Sequence, residues 1–333
     1  MNASSPSPPP SSLARSHPLS HRPQAAFSPP ITVSAEVAEA LRLHRPVVAL
    51  ESTIITHGMP YPQNLAMAHQ VEADCRENKA LPATIGLLDG EILVGMTETQ
   101  LQALAASPSP MKLSRADLGF ALAMGRSGGT TVSATMICAA LAGISVFATG
   151  GIGGVHRGGE DSMDISADLN ELARTPVTVV CAGAKAILDL PRTLEYLETR
   201  GVPVLGYQTD HLPAFWSAAS PWRVPLRVES PQEIAAIMEA RARLGLDGGM
   251  LVTNPIPAVD EIPFDAMKIL VDQVLEEARL QKVDGKAVTP FLLSRLLTLS
   301  EGRSLTANIA LVRNNVRLAA AIACARTGQA PIE

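Results

Sequence analysis

Lys185 is the residue whose surroundings most strongly suggest chemistry. It is one of only six lysines in a chain with 27 lysine and arginine residues, and the apolar stretch 179–188 around it holds no other charged side chain. Desolvation disfavours an ammonium ion and leaves a nucleophilic amine, which typically forms a Schiff base with a carbonyl group. The alternative is a lysine that extends its amine to solvent from the first turn of a helix.

Three carboxylates have patterns that suit acid–base or metal chemistry. Glu51 directly follows a short apolar run, where partial desolvation suits a general acid, although a helix cap or a structural hydrogen bond would also explain it. Asp164 and Asp168 are four residues apart and would share one face of a helix. One or both could hold Mg²⁺ or Mn²⁺ through water molecules, whereas Asp164 or Ser166 could instead cap the following helix.

The segment 150–159 is rich in glycine and contains His156 and Arg157. Main-chain N–H groups of such loops can surround a phosphate, and an arginine can add two hydrogen bonds to it. The segment matches neither the P-loop pattern nor the dinucleotide-binding pattern, so the signal is weak on its own. His57 is more typical of a structural histidine, and Lys112 of a solvated surface lysine.

The elements that must position these residues alternate between strand-like and helix-like patterns. Helices are predicted at 35–43, 65–77, 97–105, 133–142, 166–173, 188–199, 231–244, 264–281 and 306–325. Strands are predicted at 46–50, 82–88, 91–95, 146–149, 177–181, 204–207 and 250–253, with Asp89-Gly90 as a hairpin turn. This order predicts an α/β fold with a largely parallel central sheet, helices on both faces and one antiparallel hairpin. In such sheets ligands bind at the carboxyl ends of the strands, where several polar residues lie.

The composition excludes several classes of protein. The chain has 333 residues, is 47% hydrophobic and therefore is not wholly disordered. Its net charge of −5 and its 3% aromatic content argue against binding to nucleic acid or to an anionic membrane. The uncharged segment 127–155 is bounded by glycine-rich sequences, which favours a buried helix and a buried strand over a membrane span.

The N-terminal segment and the cysteines are two further features of the sequence. Residues 1–33 are rich in proline and serine and contain no acidic residue, so we predict a disordered N-terminal extension there. The four cysteines form no C-x-x-C pair and have no histidine at zinc-ligand spacing. We interpret them as free buried thiols, as expected for a cytoplasmic protein.

Taken together, several segments resemble the pseudouridine-5'-phosphate glycosidase family, which is also called the indigoidine synthase A family. The similarity extends from about residue 35 to residue 324. The matching segments are 48–60, 128–132, 147–158, 164–169, 180–185, 206–209, 254–257, 289–293 and 304–305.

The resemblance implies a C-glycosidase that interconverts pseudouridine 5'-phosphate and water with uracil and D-ribose 5-phosphate. It also implies a three-layer α/β/α sandwich, Mn²⁺ or another divalent cation such as Mg²⁺, and a homotrimer. Residues 34–330 would form a single catalytic domain. A pseudouridine kinase would be the functional partner of this enzyme.

The resemblance also implies roles for individual residues. Lys185 corresponds to the nucleophile, Glu51 to the proton donor and Asp164 to the metal ligand. The substrate-binding positions correspond to Lys112, Val132, His156, Ser166, Ala167, Asp168 and Asn308. In this interpretation Lys185 forms an imine with C1' of the opened ribose, because a C–C glycosidic bond has no heteroatom leaving group. Lys112 and the loop with His156 and Arg157 are expected to balance the charge of the phosphate.

Two other interpretations remain open at this stage. A Schiff-base lyase or aldolase acting on another sugar phosphate would also use Lys185 but would release no uracil. A non-catalytic phosphosugar-binding protein would bind without turnover, and the substitution Lys185→Ala would then change its affinity little.

Overall fold

The structure, a computed structural model, describes residue 1 and residues 30–283 and 288–328. Its strands are β1 (Ile31–Val33), β2 (Val47–Leu50), β3 (Leu81–Leu88), β4 (Glu91–Val94), β5 (Met111–Leu113), β6 (Gly128–Thr130), β7 (Val146–Ala148), β8 (Val155–His156), β9 (Thr178–Cys181), β10 (Leu188–Asp189), β11 (Val204–Tyr207), β12 (Leu226–Val228) and β13 (Met250–Thr253). Its helices are α1 (Ala35–Arg42), α2 (Thr53–His57), α3 (Gln63–Glu77), α4 (Glu98–Ala105), α5 (Arg115–Ala123), α6 (Val132–Ala142), α7 (Gly159–Ser162), α8 (Ala167–Leu172), α9 (Leu190–Thr199), α10 (Pro231–Arg243), α11 (Phe264–Leu280), α12 (Val288–Leu299) and α13 (Arg303–Arg326).

Eleven of these strands form one sheet, with the main order β1-β4-β3-β2-β7-β9-β13-β11-β12. The strands from β3 through β2 to β12 pair in parallel, whereas β3 pairs antiparallel with β4 and β6. Strands β8 and β10 form a separate antiparallel pair. The predicted α/β fold with a largely parallel sheet, surrounding helices and one antiparallel hairpin is therefore confirmed.

The central strands are buried because their sequences are apolar on both faces. All four residues are buried in β2, β9 and β13, as is typical of parallel strands covered by helices. Helix α13 packs against β2, β7 and β9. The buried carboxylate of Asp74 in α3 holds α13 in place by accepting hydrogen bonds from Arg313 and Arg317. Burial opposes ionisation of Asp74, but the two guanidinium groups outweigh it and lower the pKa of this carboxyl.

Several local predictions are confirmed. Strands β3 and β4 form the expected hairpin, and its turn residues Asp89 and Gly90 both have positive φ, at 46° and 79°. Thr97 caps α4 through a capping box with Gln100. The uncharged segment 127–155 contains β6, α6 and β7. Within the part of the chain that the structure describes, no helix is long and apolar enough to cross a membrane.

The predicted boundary of the N-terminal extension is wrong by three residues. Residues Ile31–Val33 form β1, which pairs in parallel with β4 and extends the sheet. Residues Ile31–Val33 therefore belong to the folded part, because this short segment supplies hydrogen bonds to the otherwise open edge of β4. Residues 2–29 of the predicted extension lie outside the described residues. The sequence analysis also missed α2, α5, α12 and the short strands β5 and β6.

Candidate active site

A cavity of about 720 Å³ opens beyond the carboxyl ends of β2, β7 and β9. This is the edge at which parallel sheets bind ligands, and the volume is typical of a small-molecule site. All ten predicted site residues line this one cavity: Glu51, Lys112, Val132, His156, Asp164, Ser166, Ala167, Asp168, Lys185 and Asn308.

Glu51 lies directly after β2, with its side chain between β2 and β7. Its two carboxylate oxygens each accept a hydrogen bond from a threonine hydroxyl, one from Thr53 and the other from Thr149. These bonds orient the carboxylate, which is half-buried at the cavity wall. The arrangement suits a group that gives a proton to a bound ligand and recovers it later.

Lys185 lies four residues after β9, in a turn that the neighbouring backbone holds tightly. Its N–H donates to the carbonyl of Ile152 at 3.1 Å, and its own carbonyl accepts from the N–H of Leu188 at 3.0 Å. Gly183 has a φ of +89°, and a Cβ atom there would collide with the carbonyl of Pro213. The main chain is therefore fixed, while the side chain of Lys185 is half-buried in the cavity.

Lys112 of β5 brings a positive charge to the cavity, where His57 and His156 also lie. Burial lowers the pKa of His57, and the ammonium group of Lys112 lowers it further, against a hydrogen bond with Pro110 that raises it. Burial also lowers the pKa of His156, as do Lys112 and Lys185, whereas Asp164 raises it. Lys112 therefore acts on groups inside the cavity, and its interpretation as a surface lysine is wrong. The ammonium group of Lys112 suits the binding of a phosphate group.

The carboxylate of Asp168 is tied to main-chain groups on both sides of the cavity. Its Oδ1 accepts the N–H of Ser133, at the start of α6, at 2.9 Å. Its Oδ2 accepts the N–H of Gly153, in the glycine-rich loop, at 2.8 Å. With only 6% of the residue exposed, Asp168 joins these two segments.

Asp164 lies outside helix α8, which begins at Ala167 with Ser166 as its N-cap. The prediction that Asp164 and Asp168 share one helical face is therefore wrong, whereas the predicted cap is confirmed. The Asp164 side chain is 45% exposed, and its Oδ2 lies 3.7 Å from Nδ1 of His156. Among the described residues no group of three or more histidine, cysteine, aspartate or glutamate side chains could hold a metal ion.

The glycine-rich loop is built for close packing. A Cβ atom on Gly151 would lie 2.6 Å from ring carbons of Phe215, so this glycine lets the aromatic ring approach the strand end. Arg157 forms an ion pair with Asp272 of α11 and is not among the residues that line the cavity. The structure therefore does not support the expectation that Arg157 balances phosphate charge, since its guanidinium is paired with a carboxylate of α11.

Sequence reasoning missed the aromatic part of the wall. Phe215 and Trp216 both line the cavity, and their rings meet edge to face with centroids 4.9 Å apart. Phe215 has a φ of +62°, an uncommon conformation for a bulky residue. The available signal was two adjacent aromatic residues in a chain with few of them, but the turn that carries them has no periodic pattern.

Comparisons with known proteins place this chain in a family. Residues 36–325 match the sequence profile of the family described as indigoidine synthase A like protein. The chain is 62% identical over 299 residues to pseudouridine-5'-phosphate glycosidase of Paracoccus denitrificans, covering 89% of this chain and 98% of that protein. It is 56% identical over 293 residues to the Geobacillus kaustophilus protein of the same name, covering 88% and 97%.

Two solved structures share the fold. The prealnumycin C-glycosynthase AlnA, crystallised in complex with ribulose 5-phosphate, matches with a TM-score of 0.84 and 39% identity, covering 90% of this chain and 97% of that one. An indigoidine synthase A-like protein from Thermotoga maritima matches with a TM-score of 0.80 and 36% identity, covering 88% and 95%.

Proposed function

The chain belongs to the indigoidine synthase A-like family, and on that premise we propose that it is a pseudouridine-5'-phosphate glycosidase. It cleaves the C–C glycosidic bond of pseudouridine 5'-phosphate reversibly and yields uracil and D-ribose 5-phosphate, in pseudouridine catabolism. The observation that carries the proposal is the convergence of Lys185, Glu51 and the cationic Lys112 in one cavity. The relatives' names and the sugar phosphate bound by the C-glycosynthase support the same substrate class.

The amine of Lys185 attacks C1' of the ribose and the C1'–O4' bond breaks. Glu51 gives a proton to the departing ring oxygen, and its threonine partners keep the carboxyl group in place for this transfer. The substrate is then an open chain in which C1' carries both the Lys185 nitrogen and C5 of uracil.

Protonation of uracil at C5 makes the base an acceptor of electrons. The C1'–C5 bond breaks, its electron pair restores the C5=C6 double bond of uracil, and the lone pair of the Lys185 nitrogen forms an iminium with C1'. Water then adds to the iminium, which releases ribose 5-phosphate and the free lysine. One water is consumed overall and the protein returns unchanged.

The remaining residues bind and orient the substrate. The ammonium group of Lys112 provides positive charge for the 5'-phosphate, and His57 and His156, whose pKa values are lowered, offer neutral imidazole rings that can hydrogen-bond to it. Asp164 offers carboxylate oxygen at the cavity, which fits Mn²⁺ or Mg²⁺ held mainly by water. Such an ion would supply electrostatic stabilisation of substrate oxygens. A cytoplasmic homotrimer that acts after a pseudouridine kinase completes the proposal, and sedimentation analysis tests the trimer.

Uracil release from pseudouridine 5'-phosphate with Mn²⁺ tests the reaction. Lys185→Ala should abolish release, while Lys268→Ala should retain it because Lys268 lies on the exposed surface of α11, paired with Asp272. Borohydride reduction during turnover should attach ribose 5-phosphate to the peptide that contains Lys185. If intact, metal-loaded protein releases no uracil, the glycosidase function is refuted. An adduct of Lys185 with another sugar phosphate would then support the lyase. Binding of a sugar phosphate without any adduct would support the non-catalytic binding protein.

A further inference from the structure

The indole of Trp216 forms a hydrogen bond with Asn308, a residue that lines the cavity. Trp216 is 1% exposed, and its Nε1–H donates to Oδ1 of Asn308 at 2.8 Å and to the carbonyl of Ser304 at 3.0 Å. The main chain of Trp216 is also fixed, since its carbonyl accepts the N–H of Ile262 at 2.8 Å. The indole is therefore a rigid donor beneath α13, the helix that carries Asn308.

This contact determines which way the Asn308 carboxamide points. The oxygen and nitrogen of an asparagine amide are usually told apart by their hydrogen-bond partners. An indole N–H can only donate, so the atom of Asn308 that faces it must be the oxygen. The amino group, Nδ2, consequently lies on the other side of the carboxamide. Asn308 lines the cavity and is only half-buried, so its two N–H donors are available to a ligand.

The chemistry around Asn308 suits the base of the substrate. This part of the wall is formed by the rings of Phe215 and Trp216, and by leucine side chains at 293, 297 and 305 of α12 and α13. The cationic Lys112 belongs to a different element, β5. A planar, uncharged ring with carbonyl oxygens complements the apolar wall and its amide donor, whereas the phosphate complements the ammonium group of Lys112.

We propose that Trp216 is a positioning residue, which holds the Asn308 amino group toward the cavity so that the site selects a base with a carbonyl oxygen at that point. The proposal rests on the glycosidase function and assigns the specificity of the same site. A base with an amino group at that point would place its N–H donors against the N–H donors of Asn308. Neither group would then have an acceptor, and the site would reject such a base.

A double-mutant cycle on kcat/KM for pseudouridine 5'-phosphate tests the positioning role. Trp216→Phe keeps a buried ring but removes the N–H, and we expect about a tenfold loss, the value of one hydrogen bond. In an Asn308→Ala background the same change should cost less than about twofold, because the group that it positions is gone. Trp222→Phe is the matched control: Trp222 packs against Phe264 and does not line the cavity, so kcat/KM should stay unchanged.

A second variant keeps the test decisive if Trp216→Phe folds poorly. Asn308→Asp retains an oxygen for the indole N–H but replaces the amino group with an acceptor. In the synthesis direction, wild type should prefer uracil over either 2-thiouracil or 4-thiouracil, since sulfur is the weaker acceptor at the contacted carbonyl. In Asn308→Asp that preference should collapse. Asn308→Asp should not change the affinity for ribose 5-phosphate. This affinity is measured by the fluorescence of Trp216 in proteins that also carry Trp222→Phe.

The outcomes separate the two proposals. Equal costs of Trp216→Phe in both backgrounds, or an Asn308→Asp enzyme with wild-type thiouracil discrimination, would overturn the positioning role in an active enzyme. A wild-type protein that releases no uracil would instead overturn the glycosidase function, and the assigned base specificity with it. Coupling between the two positions together with lost discrimination would support the proposal.

Discussion

Asp168→Asn provides a direct test of how the cavity is held together. The two oxygens of Asp168 accept main-chain N–H groups from Ser133 and Gly153. Asparagine has nearly the same shape, but only one of its two polar atoms can accept. Whichever way the new carboxamide turns, its amino group faces one of the two N–H donors.

The cost follows from what is lost and from burial. A hydrogen bond to a charged group contributes about 1.5–3 kcal/mol, and a buried N–H left without an acceptor costs about 1–3 kcal/mol. Because Asp168 is 6% exposed, water has little access to replace the lost partner. We therefore expect the free energy of unfolding to fall by about 3 kcal/mol. The start of α6 and the glycine-rich loop should also move apart, which lowers kcat/KM.

Urea unfolding followed by circular dichroism measures this change, with Asp164→Asn as the matched control. The Asp164 side chain is 45% exposed and its ion pair with His156 is long, at 3.7 Å, so its substitution should change the unfolding free energy by less than about 0.5 kcal/mol. Under the metal role proposed for Asp164, Asp164→Asn should instead weaken the dependence of uracil release on added Mn²⁺. Equal unfolding free energies for wild type and Asp168→Asn would refute the structural role assigned to Asp168.

Two more predictions follow from the cavity walls. Gly151→Ala places a Cβ atom 2.6 Å from the Phe215 ring and should cost about 1–3 kcal/mol of stability, whereas Gly119→Ala, with open space in α5, should be neutral or stabilising; thermal unfolding measures both, and an equally stable Gly151→Ala protein would contradict the packing argument. Lys112→Met removes a positive charge that disfavours protonation of His57, so the pKa of His57 should rise toward its ordinary value without reaching it, because burial is the larger cause; NMR titration of the imidazole measures the pKa, and no rise would show that Lys112 does not act on this group.

The sequence predicted most of the central sheet because its strands are short apolar runs between amphipathic segments. Strands β2, β9 and β13 are buried over their whole length, so their patterns were clear. Strand β6, Gly128–Thr130, was missed because glycine and threonine there gave no apolar pattern, yet it pairs with β3 and β5. Helix α2, Thr53–His57, is only five residues long, and its pattern was too short to recognise.

For the site, residue types and their positions after strands indicated which groups could do chemistry, namely Lys185, Glu51 and Asp164. Their chemistry is a property of the side chains, and the places of Glu51 and Lys185 after β2 and β9 follow from local pattern. The sequence could not show which partners these groups have. Arg157 is paired with Asp272, 115 residues later in the chain, and the Asn308 amide is oriented by Trp216, 92 residues earlier.

The sequence by itself thus determined the fold class, the order of the elements and the inventory of reactive groups, because local periodicity and side-chain chemistry are written along the chain. Only the tertiary structure decided which groups face the cavity, which are paired with neighbours and which way an amide points. Those properties depend on pairs of residues far apart in sequence, and packing alone brings such pairs within hydrogen-bonding distance.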